Sequence, residues 1–540
     1  MIVDDPDGWA DSYEPARRVH GTAMASLILH GDLESPEPPL GRPLYTRPIM
    51  RPDRRGWYNA GECIPEDVLP LDLFHRAVRR LYEKDGDLAG AAPSVRVISV
   101  SIGDRSRQFA LTMSSWARLL DYLAWKYQIL FIVSAGNHAS EIVLDVPRRD
   151  FDALRGDPQR LESEVLKAIV SGGWNRRLLS PAEALNALTV GAVHDDVAPV
   201  PAVAHRTNPY VTAGLPSPFN ATGPGFRRSM KPEVLFAGGR QLYKEKPGNT
   251  HADCTLVIDQ AILAPGHKVA TPGRRPGDVT ATIYMRGTSN ATALAARTAG
   301  LIHDVLDSLR EDTPEQGLED RFTAVLLKAL LVHGARWGAS ADALRRSLGT
   351  DKDLLARLLG YGRPDPTRVF ECTDFRGTLI GASMIGDGQA HRYSVPLLPS
   401  LSGRAEWRAL TVTLAWLSPV NHKHRAYRGA SLWFEPYGAV RGDGAYDEML
   451  SLARTDAPWQ SVRRGTLQHE VFDGAQATGF VDGDELKIQV NCAAEAGRLD
   501  VPVPYAIAVT LEVAPEVQIP IYQEIRDRIR ARVAVGVRTT

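Results

Sequence analysis

The chain has 540 residues, 44% hydrophobic and 24% charged, an ordinary globular composition with ample material for a large core. A formal net charge of -1 offers no electrostatic footing for nucleic acid or an anionic membrane surface, and no apolar run reaches the roughly 18 residues of a membrane span. The four cysteines, Cys63, Cys254, Cys372 and Cys492, lie far apart without C-x-x-C spacing, which argues against a disulfide framework or a zinc site and, with no signal-peptide pattern at the start, fits a cytoplasmic setting.

The chain opens on "MIVDDPDGWADSYEPARRVHGTAMASLI", with four acids, Asp4, Asp5, Asp7 and Asp11, ahead of His20. Residues 33–70 are rich in Pro and Arg and read as a surface excursion. From about residue 90 to 240, short apolar runs alternate with helical stretches. "VRVISVSIG" (95–103) reads as a strand, "LTMSSWARLLDYLAWKY" (111–127) as a helix with Trp116, Leu119, Leu120, Leu123 and Tyr127 on one face, and "ILFIVSAGN" (129–137) and "ALTVGAV" (187–193) as buried strands. Strands apolar on both faces and separated by helices predict an α/β arrangement with a parallel sheet covered on both sides. The charged segment 140–182 reads as a second solvated excursion.

After about residue 370 the texture becomes all-β. "LTVTLAW" (410–416), "ASLWFEP" (430–436), "ELKIQVN" (485–491) and "YAIAVTLEV" (505–513) alternate apolar and polar between Gly, Pro and Asp clusters, predicting a sandwich-like domain. "IYQEIRDRIRARV" (521–533) places Ile521, Ile525, Ile529 and Val533 in a helical stripe that suits docking on the protein's own surface.

Four segments carry candidate chemistry. "HGTAMASLI" sets His20 at a helix start whose small residues Gly21, Ala23 and Ala25 permit close approach. "ISVSIG" (98–103), with Ser99, Val100, Ser101, Ile102 and Gly103, is an extended piece that can receive a peptide as an added strand. "SAGN" ends a buried strand on Asn137, whose amide suits an oxyanion donor. "RGTSNATALAARTAGLI" (286–302) opens an alanine-rich helix at Ser289, where the helix dipole favours developing negative charge. Each alone has a bland reading: a structural histidine, a core strand, a turn residue, a serine cap.

Together, in this order, they resemble the subtilisin-like serine proteases, the subtilases, over about residues 4–365. "HGTAMAS" matches H-G-T-x-x-A; "SAGN" matches the oxyanion motif; "GTSNATA" matches G-T-S-x-A-[ST]-P, with Ala293 where proline is usual. "FNATGPGFRRSMKPEVLFAGG" (219–239) is similar to a further family run, with Gly238 in place of proline, and "VLLKALLVHGA" (325–335) with "GYGRPDP" (360–366) resembles the closing helix and turn. The resemblance implies a doubly wound, mainly parallel α/β sheet between helices in a peptidase unit over 1–368; the alternating strands place the β-domain at 369–515, and the helix and tail follow at 516–540.

It further implies a serine endopeptidase with His20 as general base, Ser289 as nucleophile and Asn137 as oxyanion donor, acting on polypeptide substrate; no calcium-loop cluster of acids stands out, so no metal or other cofactor is expected, and charge and hydropathy give no expectation of nucleic acid or membrane. In the family the triad acid ends an apolar strand in a D-[ST]-G pattern well before the histidine. Here only "MIV" precedes Asp4 and no such pattern occurs, so the expectation is a chain truncated at its N-terminus, with none of Asp4, Asp5, Asp7 or Asp11 as the acid; the alternative is Asp4 or Asp5 ending a very short first strand. The competing expectation is a subtilase-like peptide-binding protein impaired for want of that acid.

Overall fold

Four short apolar runs, Val97–Val100 (β1), Leu130–Ser134 (β2), Leu188–Val193 (β3) and Val234–Ala237 (β4), pair in parallel in the order β4-β3-β2-β1. β2 and β3 are buried at every position, as expected of strands covered on both faces. This is a computed structural model; it describes residues 1–11, 13–52, 62–84, 86–200, 205–275, 277–312, 318–396, 400, 407–437, 453–454, 458–474, 485–517 and 522–523. The stripe at 521–533 therefore lies, apart from Tyr522 and Gln523, outside the described residues. The chain divides into two compact units: Met1–Leu301 with Trp337–Arg363, and Ile302–Arg336 with Pro364–Thr540.

In the first unit, the helix anticipated over 111–127 spans Ser115–Tyr127 (α2), because the Ser114 hydroxyl accepts the Ala117 N–H at 3.0 Å and caps it there. Its buried face includes Asp121, whose carboxylate accepts the Asn186 N–H at 2.7 Å; a backbone donor makes that burial tolerable. Val19–His30 (α1) packs Ala23, Met24 and Leu27 against Val269 and Ala293. Ala293 belongs to the long helix Thr288–Asp312 (α3), whose Ala291, Ala293, Ala295 and Ala299 are fully buried. Methyl-sized side chains let α3 run close to its neighbours. Gly21 serves no such approach: it is exposed, and a Cβ there would meet nothing within 4 Å.

Two expectations are corrected here. The 140–182 segment is not a solvated excursion. Its strand Ile142–Pro147 pairs antiparallel with Asp253–Ile258, and its helix Pro158–Ser171 buries Leu161, Val165, Leu166 and Ile169. The exposed charge sits on the other helix face, and the buried Glu162 carboxylate accepts the Val211 and Thr212 N–H groups at 2.9 and 2.7 Å, so composition alone concealed the buried stripe. The extended segment 95–103 is also not one strand. Only Val97–Val100 joins the sheet, and the chain then leaves it.

The second unit holds two antiparallel sheets. Arg376–Ile385 (β5), Arg408–Trp416 (β7), Leu467–Gly474 (β9) and Val503–Val513 (β11) form one, in the order β5-β11-β7-β9, with Ala453–Arg454 at its edge. Ala390–Pro396 (β6), Ala430–Tyr437 (β8) and Glu485–Ala494 (β10) form the other, in the order β6-β10-β8. Gln468 on β9 accepts the Phe434 N–H on β8 at 2.9 Å, tying one sheet to the other. The alternation in 410–416 does not divide a dry face from a wet one: all nine residues of β7 are buried. The cover is Thr323–His333 (α4), itself buried at every position and packed on β7 and β11.

Candidate active site

Parallel strands deliver the chain to a common edge at their carboxyl ends, where α/β proteins bind ligands. Ser101, Ile102 and Gly103 follow β1, and Ala135, Gly136 and Asn137 follow β2. The second of these turns is pinned. His138 N–H donates to Phe219 O at 2.7 Å, and Ala221 N–H donates to Gly136 O at 3.0 Å. Ser99 and Val100 remain in the sheet, paired with Ile132 and Val133, so of the five residues assigned to substrate binding only Ser101, Ile102 and Gly103 stand beyond the strand.

The start of α3 meets both turns. The Asn137 Oδ1 accepts the Thr288 N–H at 2.8 Å and the Thr288 hydroxyl at 3.0 Å. Because a carbonyl oxygen alone can accept both, this fixes the amide orientation and leaves Nδ2 as the outward donor. Gly287 makes room for it: a Cβ there would lie 3.2 Å from Asn137 Nδ2, and its φ of +151° disfavours any side chain. Ser289, next in line, places its Oγ 3.3 Å from Ser101 O, while the Ser101 hydroxyl lies 3.4 Å from Ser289 O. Gly238, where the resemblance anticipated proline, passes so near β3 that a Cβ would sit 2.3 Å from Ala192 Cβ, and its carbonyl accepts the Gly287 N–H at 2.9 Å.

His20 is the second residue of α1. The loop before it is held by the Arg18 guanidinium, which donates to Tyr13 O at 2.9 Å and to Ala10 O at 2.5 Å. The imidazole is 30% exposed, and its Nδ1 lies 4.0 Å from Glu62 Oε2. The other Glu62 oxygen accepts the Tyr13 hydroxyl. Burial holds His20 below the ordinary histidine pKa, and the Glu62 charge opposes that shift. Burial and the Glu62 carboxylate both raise the Tyr13 pKa, which keeps its hydroxyl a donor.

Glu62 was not anticipated; it lies in the stretch read as a surface excursion, and its neighbours "GECIPED" carry no catalytic pattern. The four acids at the start are engaged elsewhere or open to solvent. Asp4 binds Arg80 at 2.7 Å and Arg47 at 3.4 Å, Asp7 binds Arg47 at 2.6 Å and Arg76 at 3.2 Å, Asp5 accepts the Ala10 N–H at 2.5 Å, and Asp11 is exposed. The strand before Asp4, Ile2–Val3, pairs with Tyr45–Thr46 rather than with the four-stranded sheet. Among the described residues there is no group of three or more acidic, histidine or cysteine side chains suited to a metal ion, and no helix is long and apolar enough to cross a membrane.

The family model described as the subtilase family, Peptidase S8, matches residues 3–362. The uncharacterized protein y4bN of Sinorhizobium fredii (strain NBRC 101917 / NGR234) is 24% identical over 475 residues, which is 85% of this chain and 99% of that protein. Among solved structures, the prenylagaramide maturation protease PagA is 17% identical, covering 68% of this chain and 84% of that one with a TM-score of 0.33. The patellamide maturation protease PatA is 17% identical, covering 68% and 87% with a TM-score of 0.34.

Proposed function

The chain belongs to the subtilase family of serine proteases, and from that premise we propose that it is an endopeptidase that cuts polypeptides with Ser289 as nucleophile, His20 as general base and Asn137 as oxyanion donor. Ser289 Oγ attacks the scissile carbonyl carbon while His20 takes its proton. The C=O electron pair moves onto oxygen, and this oxyanion is met by Asn137 Nδ2 and by the Ser289 N–H. That N–H belongs to the first turn of α3, where backbone donors have no intrahelical partner and the dipole favours negative charge. His20 then gives the proton to the leaving amine, and water resolves the acyl-enzyme by the same steps in reverse. Glu62 serves as the carboxylate that stabilises the transient imidazolium.

The observation that carries this reading is the double hydrogen bond from Thr288 to Asn137 Oδ1. It spends the amide oxygen and leaves the amide nitrogen as the remaining donor at the helix start that carries Ser289, an arrangement that a mere turn asparagine does not require. A fluorophosphonate probe, with the adduct mapped by peptide mass spectrometry, tests it. Modification of Ser289 together with hydrolysis of an unfolded protein substrate is the expected result. A protein that neither labels at Ser289 nor cleaves any peptide is not a protease.

A further inference from the structure

Between the two turns that flank Ser289, the space is already taken. Leu179 lies there, 3% exposed. A Cβ built on Gly136 would fall 2.5 Å from Leu179 Cγ and 2.8 Å from its Cβ and Cδ1, and one built on Gly103 would fall 3.1 Å from Leu179 Cβ. Both glycines leave room that this leucine occupies, and Gly136 also has a φ of +112° that disfavours a side chain. Its backbone is fixed on every side: Leu179 N–H donates to Ala135 O at 3.0 Å, Ala182 N–H donates to Leu179 O at 2.9 Å, and Phe109 N–H donates to Leu178 O at 2.7 Å. Leu179 also pairs with Gln108 in a short antiparallel ladder.

That position has a consequence for what can be cut. A peptide carbonyl attacked by Ser289 Oγ, with its oxygen on Asn137 Nδ2, lies between Ser101 on one side and Asn137 on the other. The side chain of the same residue must then enter the gap between 101–103 and 135–137, whose far side Leu179 closes. We infer that Leu179 is a specificity-determining residue that restricts the residue on the amino side of the scissile bond to glycine, alanine or a side chain of similar size. An aromatic or long aliphatic side chain has no volume to occupy without displacing Leu179, and close-packed interiors yield little. This inference rests on the proposed roles of Ser289 and Asn137.

The test is a set of otherwise identical peptides with Gly, Ala, Leu or Phe at that position. The wild-type enzyme should turn over the Ala peptide with a kcat/KM on the order of 10²-fold above the Phe peptide, the scale on which one pocket discriminates by size. Leu179→Ala should raise the Phe peptide relative to the Ala peptide by about tenfold or more, and the milder Leu179→Val should move the ratio part of the way; the Val variant covers the case in which the Ala variant does not fold. Equal turnover of Phe and Ala peptides by the wild type overturns the inference, as does an unchanged ratio in a folded Leu179→Ala protein. Binding of the same peptides to Ser289→Ala, followed by calorimetry, separates this inference from the protease reading. Tighter binding of Ala than Phe peptides without any wild-type hydrolysis would sink the protease but keep the pocket. Equal binding, or none, overturns the pocket.

Discussion

Two histidine environments, one from each unit of this protein, differ in how their ring nitrogens are held. In the first, His20 stands at the start of a helix with its ring partly open and a carboxylate 4.0 Å from Nδ1. In the second, His333 and His469 are 2% and 4% exposed, with all four ring nitrogens hydrogen bonded. The second set has a determinate direction. His469 Nε2 lies 2.9 Å from Ala335 O, which can only accept, so Nε2 carries the proton and Nδ1 accepts the Thr413 hydroxyl at 2.7 Å. Thr413 oxygen then accepts His333 Nδ1–H at 2.7 Å, and His333 Nε2 accepts the Thr510 hydroxyl at 2.7 Å. A ring with both nitrogens satisfied in a fixed relay locks α4 to β7, β9 and β11. A ring with an open side can exchange a proton. On the proposed reading of His20 as the base, the two environments differ as an open ring differs from one held in a fixed relay.

The contrast breaks hardest at Ser289. Ser289→Ala should lower peptide hydrolysis by about 10⁶, the scale of losing a nucleophile in such a site, with a thermal midpoint little changed because only the 3.3 Å contact to Ser101 O is lost. Hydrolysis at the parent rate would remove Ser289 from the chemistry. Asn137→Ala comes next. It should cost on the order of 10²–10³, in kcat far more than in KM, because the amide meets its charge only in the transition state. A pure KM effect would make Asn137 a binding or turn residue.

How much of this could be read in the sequence differs along the same line. The parallel sheet was legible because β2 and β3 are apolar at nearly every position, and the helix start at Ser289 and the turn at Asn137 were legible because each sits in a short local motif, "GTSNATA" and "SAGN". The sandwich strands were legible from alternation. Contacts that depend on the chain returning from afar were not. Glu62 reaches His20 at the end of a Pro- and Arg-rich stretch that has no periodicity, and nothing in "LTVTLAW" announces the helix that covers its threonines. Leu179 was invisible for the same reason: its role follows from two glycines that lie in other turns.

The structural histidines make stability depend on pH. Burial pushes His469 down to about 4, against the hydrogen bond to Ala335 O, and burial with the nearby His469, Arg368 and Arg336 charges holds His333 well below the ordinary value. In the unfolded chain both titrate near 6.5. Folded pKa values below unfolded ones give stability that is complete above pH 6.5 and is lost as pH falls toward 4, because the unfolded state alone takes up the protons. For His469 the loss is about 3 kcal/mol across that window. Urea midpoints measured from pH 7.5 to 4.5 should fall, and His469→Gln, which binds no proton, should flatten the fall. Parallel profiles in the two proteins would mean that the relay tolerates protonation.

The smallest expected effect is at Glu62, and it tests the open side of the comparison. Two unit charges 4.0 Å apart at an effective dielectric of about 20 interact by about 4 kcal/mol. With the histidine and glutamate side chains 30% and 19% exposed, solvent screening leaves about 1 kcal/mol. Glu62→Gln keeps the acceptor for the Tyr13 hydroxyl and removes only the charge. Since that charge raises the His20 pKa against burial, removing it lowers the pKa further. The acid limb of kcat/KM should therefore shift to lower pH by about half a unit to one unit, while the plateau rate drops by about tenfold as the imidazolium loses its partner. High salt should weaken the wild-type limb toward the variant's position, since a pair this exposed is screened. A limb and plateau both unchanged in Glu62→Gln would mean that the carboxylate beside His20 is a neighbour and not a participant.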